Sequence, residues 1–135
     1  MKRRSILSYL FWAILFFAVD RIAKILALAS LSTTKEMNIF QGLRLNVIWN
    51  RGISWGILTS LDGFLYYLLI ASIVCLIFLF LYYAVREFQR GGDILCEVMI
   101  IMGAVSNLYD RLVYGAVVDF IEIYVGAWSW PIFNI

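Results

Sequence analysis

The feature that most constrains this chain is the run from Phe64 to Val85, 22 residues without a charged side chain. At a rise of about 1.5 Å per residue, a helix of that length crosses a hydrocarbon core about 30 Å thick. Of the 135 residues, 64% are hydrophobic and 15% charged. A soluble domain of this size cannot bury so much apolar surface. The sequence therefore predicts an integral membrane protein with room for one domain.

Two further apolar runs, residues 5–30 and 94–113, predict two more spans. The basic start at residues 2–4 and the arginines of the loop 86–93 place both segments in the cytoplasm by the positive-inside rule. The basic start also resembles a secretory signal peptide, but charges at positions 20, 21 and 24 interrupt its apolar region and favour a transmembrane helix. The C-terminus is then expected outside the cytoplasm.

The first and third predicted spans carry charged residues at matching depths. Asp20 lies about 22 Å along the first span and pairs with Lys24 at i, i+4, while Asp110 lies about 24 Å along the third. Asn107, Asp110 and Arg111 share one helix face. Ionisable groups at membrane depth are costly and tend to mark function, so the pattern predicts one polar site near the outer face. The alternative is a set of charge-paired helix ends at the membrane surface.

Outside the spans, the sequence predicts one strand, a tight loop, and the positions where one helix ends and another begins. Residues 43–50 alternate apolar and polar side chains, which is typical of a strand. Residues 50–56 contain two glycines and an asparagine and predict a tight loop, either close to a partner or as an ordinary surface turn. Gly115 is expected to end the third helix before Asp119, and Pro131 to begin a fourth.

The residue inventory excludes several kinds of site. The chain contains no histidine, which excludes histidine-based triads, HExxH zinc sites and histidine-ligated haem. Cys75 and Cys96 are far apart in apolar runs, which favours buried thiols over a disulfide or a metal site. The net charge is only +2, and no basic patch indicates nucleic-acid binding.

Five short segments together resemble lipoprotein signal peptidase, the signal peptidase II family of bacterial intramembrane aspartic proteases. They lie in the family's order at residues 20–24 (DRIAK), 50–56 (NRGISWG), 103–111 (GAVSNLYDR), 115–120 (GAVVDF) and 131–135 (PIFNI). The corresponding family patterns are D-Q-x-x-K, N-x-G-x-A-F-G, G-A-x-G-N-x-x-D-R, G-x-V-x-D-F and the start of P-x-F-N-x-A-D. The departures are Arg21 for Gln, Ser54 for Ala, Trp55 for Phe and Ser106 for Gly. Each segment alone is weak evidence, but five in order at fitting spacing are strong.

The resemblance implies an all-α integral membrane protein with three transmembrane helices of an expected four-helix bundle and a small extracytoplasmic β-element. Residues 1–135 would form a single membrane-embedded peptidase domain that lacks the last helix. The expected location is the bacterial cytoplasmic membrane, with the active site near the outer face. The expected activity is removal of the signal peptide from a diacylglyceryl-modified prolipoprotein, just before its lipidated cysteine. A monomer is expected, with this substrate and membrane lipids as partners and neither cofactor nor metal.

By resemblance, the catalytic aspartates are Asp119 and one that would fall two positions beyond Ile135. The supporting residues would be Asp20, Lys24, Asn50, Gly52, Asn107, Asp110, Arg111 and Asn134. Two close carboxylates share a proton and can act as base and acid together, so a chain with one of them is expected to be inactive. Two alternatives remain open, a transporter subunit that uses Asp110 and Asp119 as an ion site and a structural membrane module with charge pairs between helices.

Overall fold

The structure is a computed structural model that describes residues 5–31, 36–52 and 63–135. In chain order its elements are α1 (Ile6–Ser30), β1 (Glu36–Phe40), β2 (Leu43–Asn50), α2 (Phe64–Gln89), α3 (Leu95–Tyr114), β3 (Val117–Val125) and β4 (Trp128–Ser129). The helices pack together, and the strands form an antiparallel sheet in the order β1-β2-β3-β4.

Within the described residues, α1 and α2 are long and apolar enough to cross a membrane. Their surfaces expose large apolar side chains such as Ile14, Phe64 and Phe78, as expected of helices that face lipid. The predicted limits of the first helix are confirmed, because Ser5 caps α1 by accepting a hydrogen bond from the backbone N–H of Ser8. The second helix continues four residues past the predicted Val85. A third span at α3 and a four-helix bundle stay predictions.

The helix packing is fixed at one end by Tyr9, which is buried near the start of α1. Its ring meets Phe88 of α2 edge to face, with 5.9 Å between ring centroids. Its hydroxyl donates to Asp93 at 3.1 Å and accepts from the backbone N–H of Ile94 at 3.4 Å. One side chain of α1 therefore joins the end of α2 to the start of α3.

The sheet lies at the opposite end of the helices. There α3 ends at Gly115, which has a left-handed conformation (φ 72°), and the chain turns directly into β3. This confirms the predicted helix end. Trp49 of β2 packs edge to face on Tyr114, with 5.6 Å between ring centroids. The last turn of α3 thus contacts the sheet through Tyr114.

The predicted small β-element is present as a small antiparallel sheet of four strands. The predicted strand at residues 43–50 is confirmed as β2, but β1 was not predicted at all. Pro131 does not start a helix; that prediction is wrong for residues 131–135. The segment instead runs beside β3, and Phe133 exchanges backbone hydrogen bonds with Ile121. Long-range strand pairing has overridden the local proline signal.

The cysteine prediction is half right. Cys75 and Cys96 are free thiols, but both are exposed on helix surfaces and not buried. Apolar residues of a membrane helix can face lipid instead of protein, so burial within the protein was the wrong expectation. Residues 53–56 of the predicted tight loop, with Ser54 and Trp55, lie outside the described residues.

Candidate active site

Asp119 of β3 lies at the junction of the sheet and the helices, and 5% of its surface is exposed. The β2–β3 register pairs Ile48 with Asp119 and Asn50 with Val117, which puts Asn50 and Asp119 on the same face of the sheet. Asn50 Nδ2 donates to Asp119 Oδ2 at 2.8 Å. Asn134 Nδ2 donates to Oδ1 at 2.6 Å. Each carboxylate oxygen therefore accepts a hydrogen bond from a neutral amide.

Burial raises the pKa of the Asp119 carboxyl above its ordinary value. The hydrogen bonds from Asn50 and Asn134 oppose this rise, as do the positive charges of Lys24 and Arg111. The carboxyl therefore keeps its proton to higher pH than an exposed aspartate does. A shift in this direction suits a group that takes up and returns a proton in general acid–base catalysis.

The turn after β2 is tied to both Asp119 and α3. The backbone N–H of Gly52 donates to Asn50 Oδ1 at 3.0 Å, which orients the Asn50 amide toward Asp119. Arg111 Nη2 donates to the carbonyl oxygen of Gly52 at 2.9 Å. Tyr66 of α2 donates to the Arg111 carbonyl oxygen at 2.7 Å. Among the described residues, the buried Nε of Arg111 has no hydrogen-bond partner.

A cluster of buried charges joins α1 to α3 behind Asp119. Lys24 is fully buried, and its ammonium lies 2.9 Å from Asp20 Oδ2 and 2.8 Å from Asp110 Oδ2. Arg21 pairs with the other oxygen of Asp110. Ser106 donates to Asp20. These contacts bring the charged faces of the first and third predicted spans together in one cluster.

Two asparagines connect this cluster to Asp119. Lys24 Nζ donates to Asn107 Oδ1 at 2.8 Å. Asn134 Nδ2 donates to the same oxygen at 3.1 Å and also to Asp119. A second connection is the backbone N–H of Val118, which donates to Asp110 Oδ2 at 3.4 Å. The position of Asp119 thus depends on groups from α1, α3 and the terminal segment.

A cavity of about 520 Å³ opens in front of Asp119. Its polar end is lined by Asn50, Asn107, Arg111, Asp119 and Asn134. Its walls are largely apolar and come from α2 (including Leu69, Ile73 and Leu76) and α3 (including Ile100 and Ala104). A groove of this kind suits a ligand with a long apolar part and one polar group held at Asp119.

The structure brings all nine predicted site residues into two connected layers. Asp119, Asn50, Asn107, Arg111 and Asn134 line the cavity, and Gly52 contacts Arg111. Asp20, Lys24 and Asp110 form the charged cluster behind them. Sequence reasoning did not include Arg21 and Ser106 in the site. The available signal was spacing, since Ser106 precedes Asp110 by one helical turn and Arg21 adjoins Asp20.

Comparison with known proteins identifies the family. The model of the family described as Signal peptidase (SPase) II matches residues 12–135. The chain belongs to the signal peptidase II family.

Curated relatives support this membership along nearly the whole chain. The lipoprotein signal peptidase of Anaplasma phagocytophilum (strain HZ) is 30% identical over 98% of this chain and 83% of the relative. That of Aquifex aeolicus (strain VF5) is 38% identical over 98% of this chain and 78% of the relative. The similarity to these lipoprotein signal peptidases therefore extends over the candidate site and the segments around it.

The fold is that of a membrane enzyme. Two solved structures of a bacterial membrane enzyme, determined by the in meso method at 2.3 Å and 1.9 Å, superpose with TM-scores of 0.70 and 0.69. Each is 23% identical and covers 98% of this chain, which covers 80% and 84% of them. The apolar helices and the antiparallel sheet of this signal peptidase II family member therefore form a known membrane-enzyme architecture.

Proposed function

We propose that this protein is an aspartic endopeptidase that removes signal peptides from diacylglyceryl-modified prolipoproteins, cutting before the lipidated cysteine. The observation that carries the proposal is Asp119, a buried carboxyl with a raised pKa at the polar end of an apolar groove. Family membership supplies the substrate class, since the relatives above are lipoprotein signal peptidases. The charge pairs between α1 and α3 also fit a structural module, but that alternative does not account for a buried carboxyl at the polar end of an apolar cavity.

The proposed reaction uses Asp119 with a second carboxyl group. The ionised carboxylate takes a proton from a water molecule, and the water oxygen attacks the scissile carbonyl carbon. The protonated carboxyl donates to the carbonyl oxygen. Collapse of the tetrahedral intermediate breaks the C–N bond. The leaving amine takes the proton that the first carboxylate removed from water, and the former carbonyl oxygen returns its proton to the second carboxylate. In the family motif the second aspartate follows Asn134, whose side chain already bonds to Asp119.

The cavity suits this reaction because its parts differ in polarity. The apolar walls from α2 and α3 would hold the signal helix or the acyl chains, which arrive through the bilayer. Asn50, Asn107, Arg111 and Asn134 would orient the peptide backbone next to Asp119. We place the site near the outer face of the cytoplasmic membrane, in a single peptidase domain that acts as a monomer.

The test is Asp119→Asn in the full-length protein, assayed on a lipidated precursor in liposomes. The amide keeps the size of the side chain but cannot act as a base, so we expect cleavage to fall by at least about a thousandfold. Glu36→Gln is the matched control, because it also replaces a carboxylate with an amide, at an exposed position of β1. Near-normal cleavage by Asp119→Asn would refute the assignment.

A further inference from the structure

Arg21 and Ser106 are polar residues of the buried cluster that the proposed reaction does not use. Ser106 is fully buried on α3, and its hydroxyl donates to Asp20 of α1. Arg21 reaches in the opposite direction, from α1 to Asp110 of α3. Arg21 Nη1 also lies 3.5 Å from Ser106 Oγ. The two residues therefore cross-link α1 and α3 and contact each other between the two carboxylates.

Charge balance explains why a second cation is needed here. Asp20 and Asp110 are both buried, and Lys24 alone would leave the cluster with one net negative charge. Arg21 supplies the missing positive charge and packs over the ring of Tyr109, with its guanidinium carbon 4.6 Å from the ring centroid. A buried charge without a partner is strongly destabilising, whereas a neutral, hydrogen-bonded set of charges is tolerated.

The cluster is connected to Asp119 through the shared carboxylate of Asp110. One Asp110 oxygen faces Arg21, and the other accepts from Lys24 and from the backbone N–H of Val118, the residue before Asp119. Movement of Asp110 would therefore displace both the start of β3 and Lys24, which bonds to Asn107. Arg21 and Ser106 do not line the cavity, so any influence on the reaction acts through these contacts.

We infer that Arg21 and Ser106 act as a coupled pair of positioning residues that fix Asp110 and thereby the placement of Asp119. The reaction they would support rests on the function proposed above. Because the pair stands behind the cavity, its loss lowers turnover far more than it weakens substrate binding. Because the two side chains share one hydrogen-bonded cluster, removing the second after the first has little further effect.

The first test compares Arg21→Gln, Ser106→Ala and the double variant in the full-length protein on a lipidated precursor. We expect each single change to lower kcat about tenfold with KM within about twofold, and the double variant to equal the worse single variant. Arg21→Lys keeps the charge and should give an intermediate kcat. Arg90→Gln, at the exposed end of α2, is the control and should match the unsubstituted protein. A raised KM with unchanged kcat, or multiplied losses in the double variant, would overturn the inference.

The second test needs no activity. Thermal unfolding in detergent is followed for the unsubstituted protein, Arg21→Gln, Ser106→Ala and the double variant. We expect the double variant to lose less stability than the sum of the two single losses. Additive losses would show that Arg21 and Ser106 act independently and would refute the pair. If the unsubstituted protein does not cleave the precursor, the proposed function fails, and this unfolding comparison still decides whether the pair exists.

Discussion

At the scale of single residues, the chemistry of the site depends on neutral donors next to Asp119. The Asn50 and Asn134 amides stabilise the ionised carboxylate without cancelling its charge, as a direct contact with a cation would. The cations Lys24 and Arg111 oppose the raised pKa only through space. Asp119 can therefore be restrained in position and still exchange a proton.

The first prediction concerns Asn134→Ala. Loss of this amide removes a hydrogen bond that lowers the pKa of Asp119, so that pKa rises further above its ordinary value. We expect the acidic limb of the pH–rate profile to move to higher pH. We also expect activity at neutral pH to fall about tenfold, which is the usual effect of losing one hydrogen bond to a charged group. Asn38→Ala on the exposed strand β1 is the control. An unmoved acidic limb would contradict the role of Asn134.

At the scale of elements, the second prediction concerns the ion pair between β2 and β3. Arg44 donates to both oxygens of Glu122, at 2.8 and 2.7 Å, and lowers the pKa of Glu122 to about 2, with a further contribution from Asn46. A lowered pKa adds stability above the ordinary value of 4.5, and this stability is lost as the pH falls toward about 2.

We therefore expect Glu122→Gln to lower the thermal midpoint in detergent by several degrees at neutral pH, with a smaller difference from the unsubstituted protein as the pH drops below 4.5. Glu36→Gln is the control, since this exposed residue contacts the same arginine at 3.3 Å and surface pairs contribute little. A pH-independent difference would show that the pair contributes through packing alone.

The third prediction compares two glycines of the α3 region. Gly115 has a φ of 72°, so Gly115→Ala is strained even though no atom stands within 4 Å of the added methyl group, and we expect a loss of about 1 kcal/mol. Gly103 lies inside α3 with equally open space, so Gly103→Ala should stabilise the helix by about 0.5–1 kcal/mol. Unfolding in detergent measures both. Effects of the same sign would refute the conformational explanation.

The elements that could be predicted are those with local signals. The limits of α1 and the end of α3 follow from a serine cap and a glycine, both adjacent in sequence to the helix. β1 has no such signal, because all five of its residues are exposed and it forms by pairing with β2. The helix predicted from Pro131 failed for the same reason. The structure of that segment depends on strand pairing with Ile121 of β3, and not on a local signal.

The candidate site was predictable residue by residue but not as a set of contacts. Spacing and resemblance singled out Asp119 and its neighbours, and the structure brings those residues together. Arg21 and Ser106 were noted only as departures from a pattern. Their contacts join residues more than 80 positions apart, which no local periodicity reveals.

At the scale of the whole molecule, the fourth prediction concerns orientation. Gln89 is the last residue of α2, close to Arg86, and the positive-inside rule predicts that this end of α2 lies in the cytoplasm. Ser129 lies in the sheet beyond α3 and is predicted to lie outside. The exposed Cys75 and Cys96 are first replaced by serine. Single cysteines at positions 89 and 129 are then labelled in intact cells with an impermeant reagent. We expect label at position 129 and not at 89, and the reverse result would invert the topology.

The split of the charged cluster between α1 and α3 has a consequence for biosynthesis. Ser106, the partner of Asp20, leaves the ribosome 86 residues after it. During that interval α1 holds two cations and one carboxylate that have no α3 groups to meet. Asp20 and Lys24 already lie one turn apart and can neutralise each other, but Arg21 cannot be matched until Asp110 is made. We therefore expect the first helix to carry one unmatched positive charge until α3 has been made.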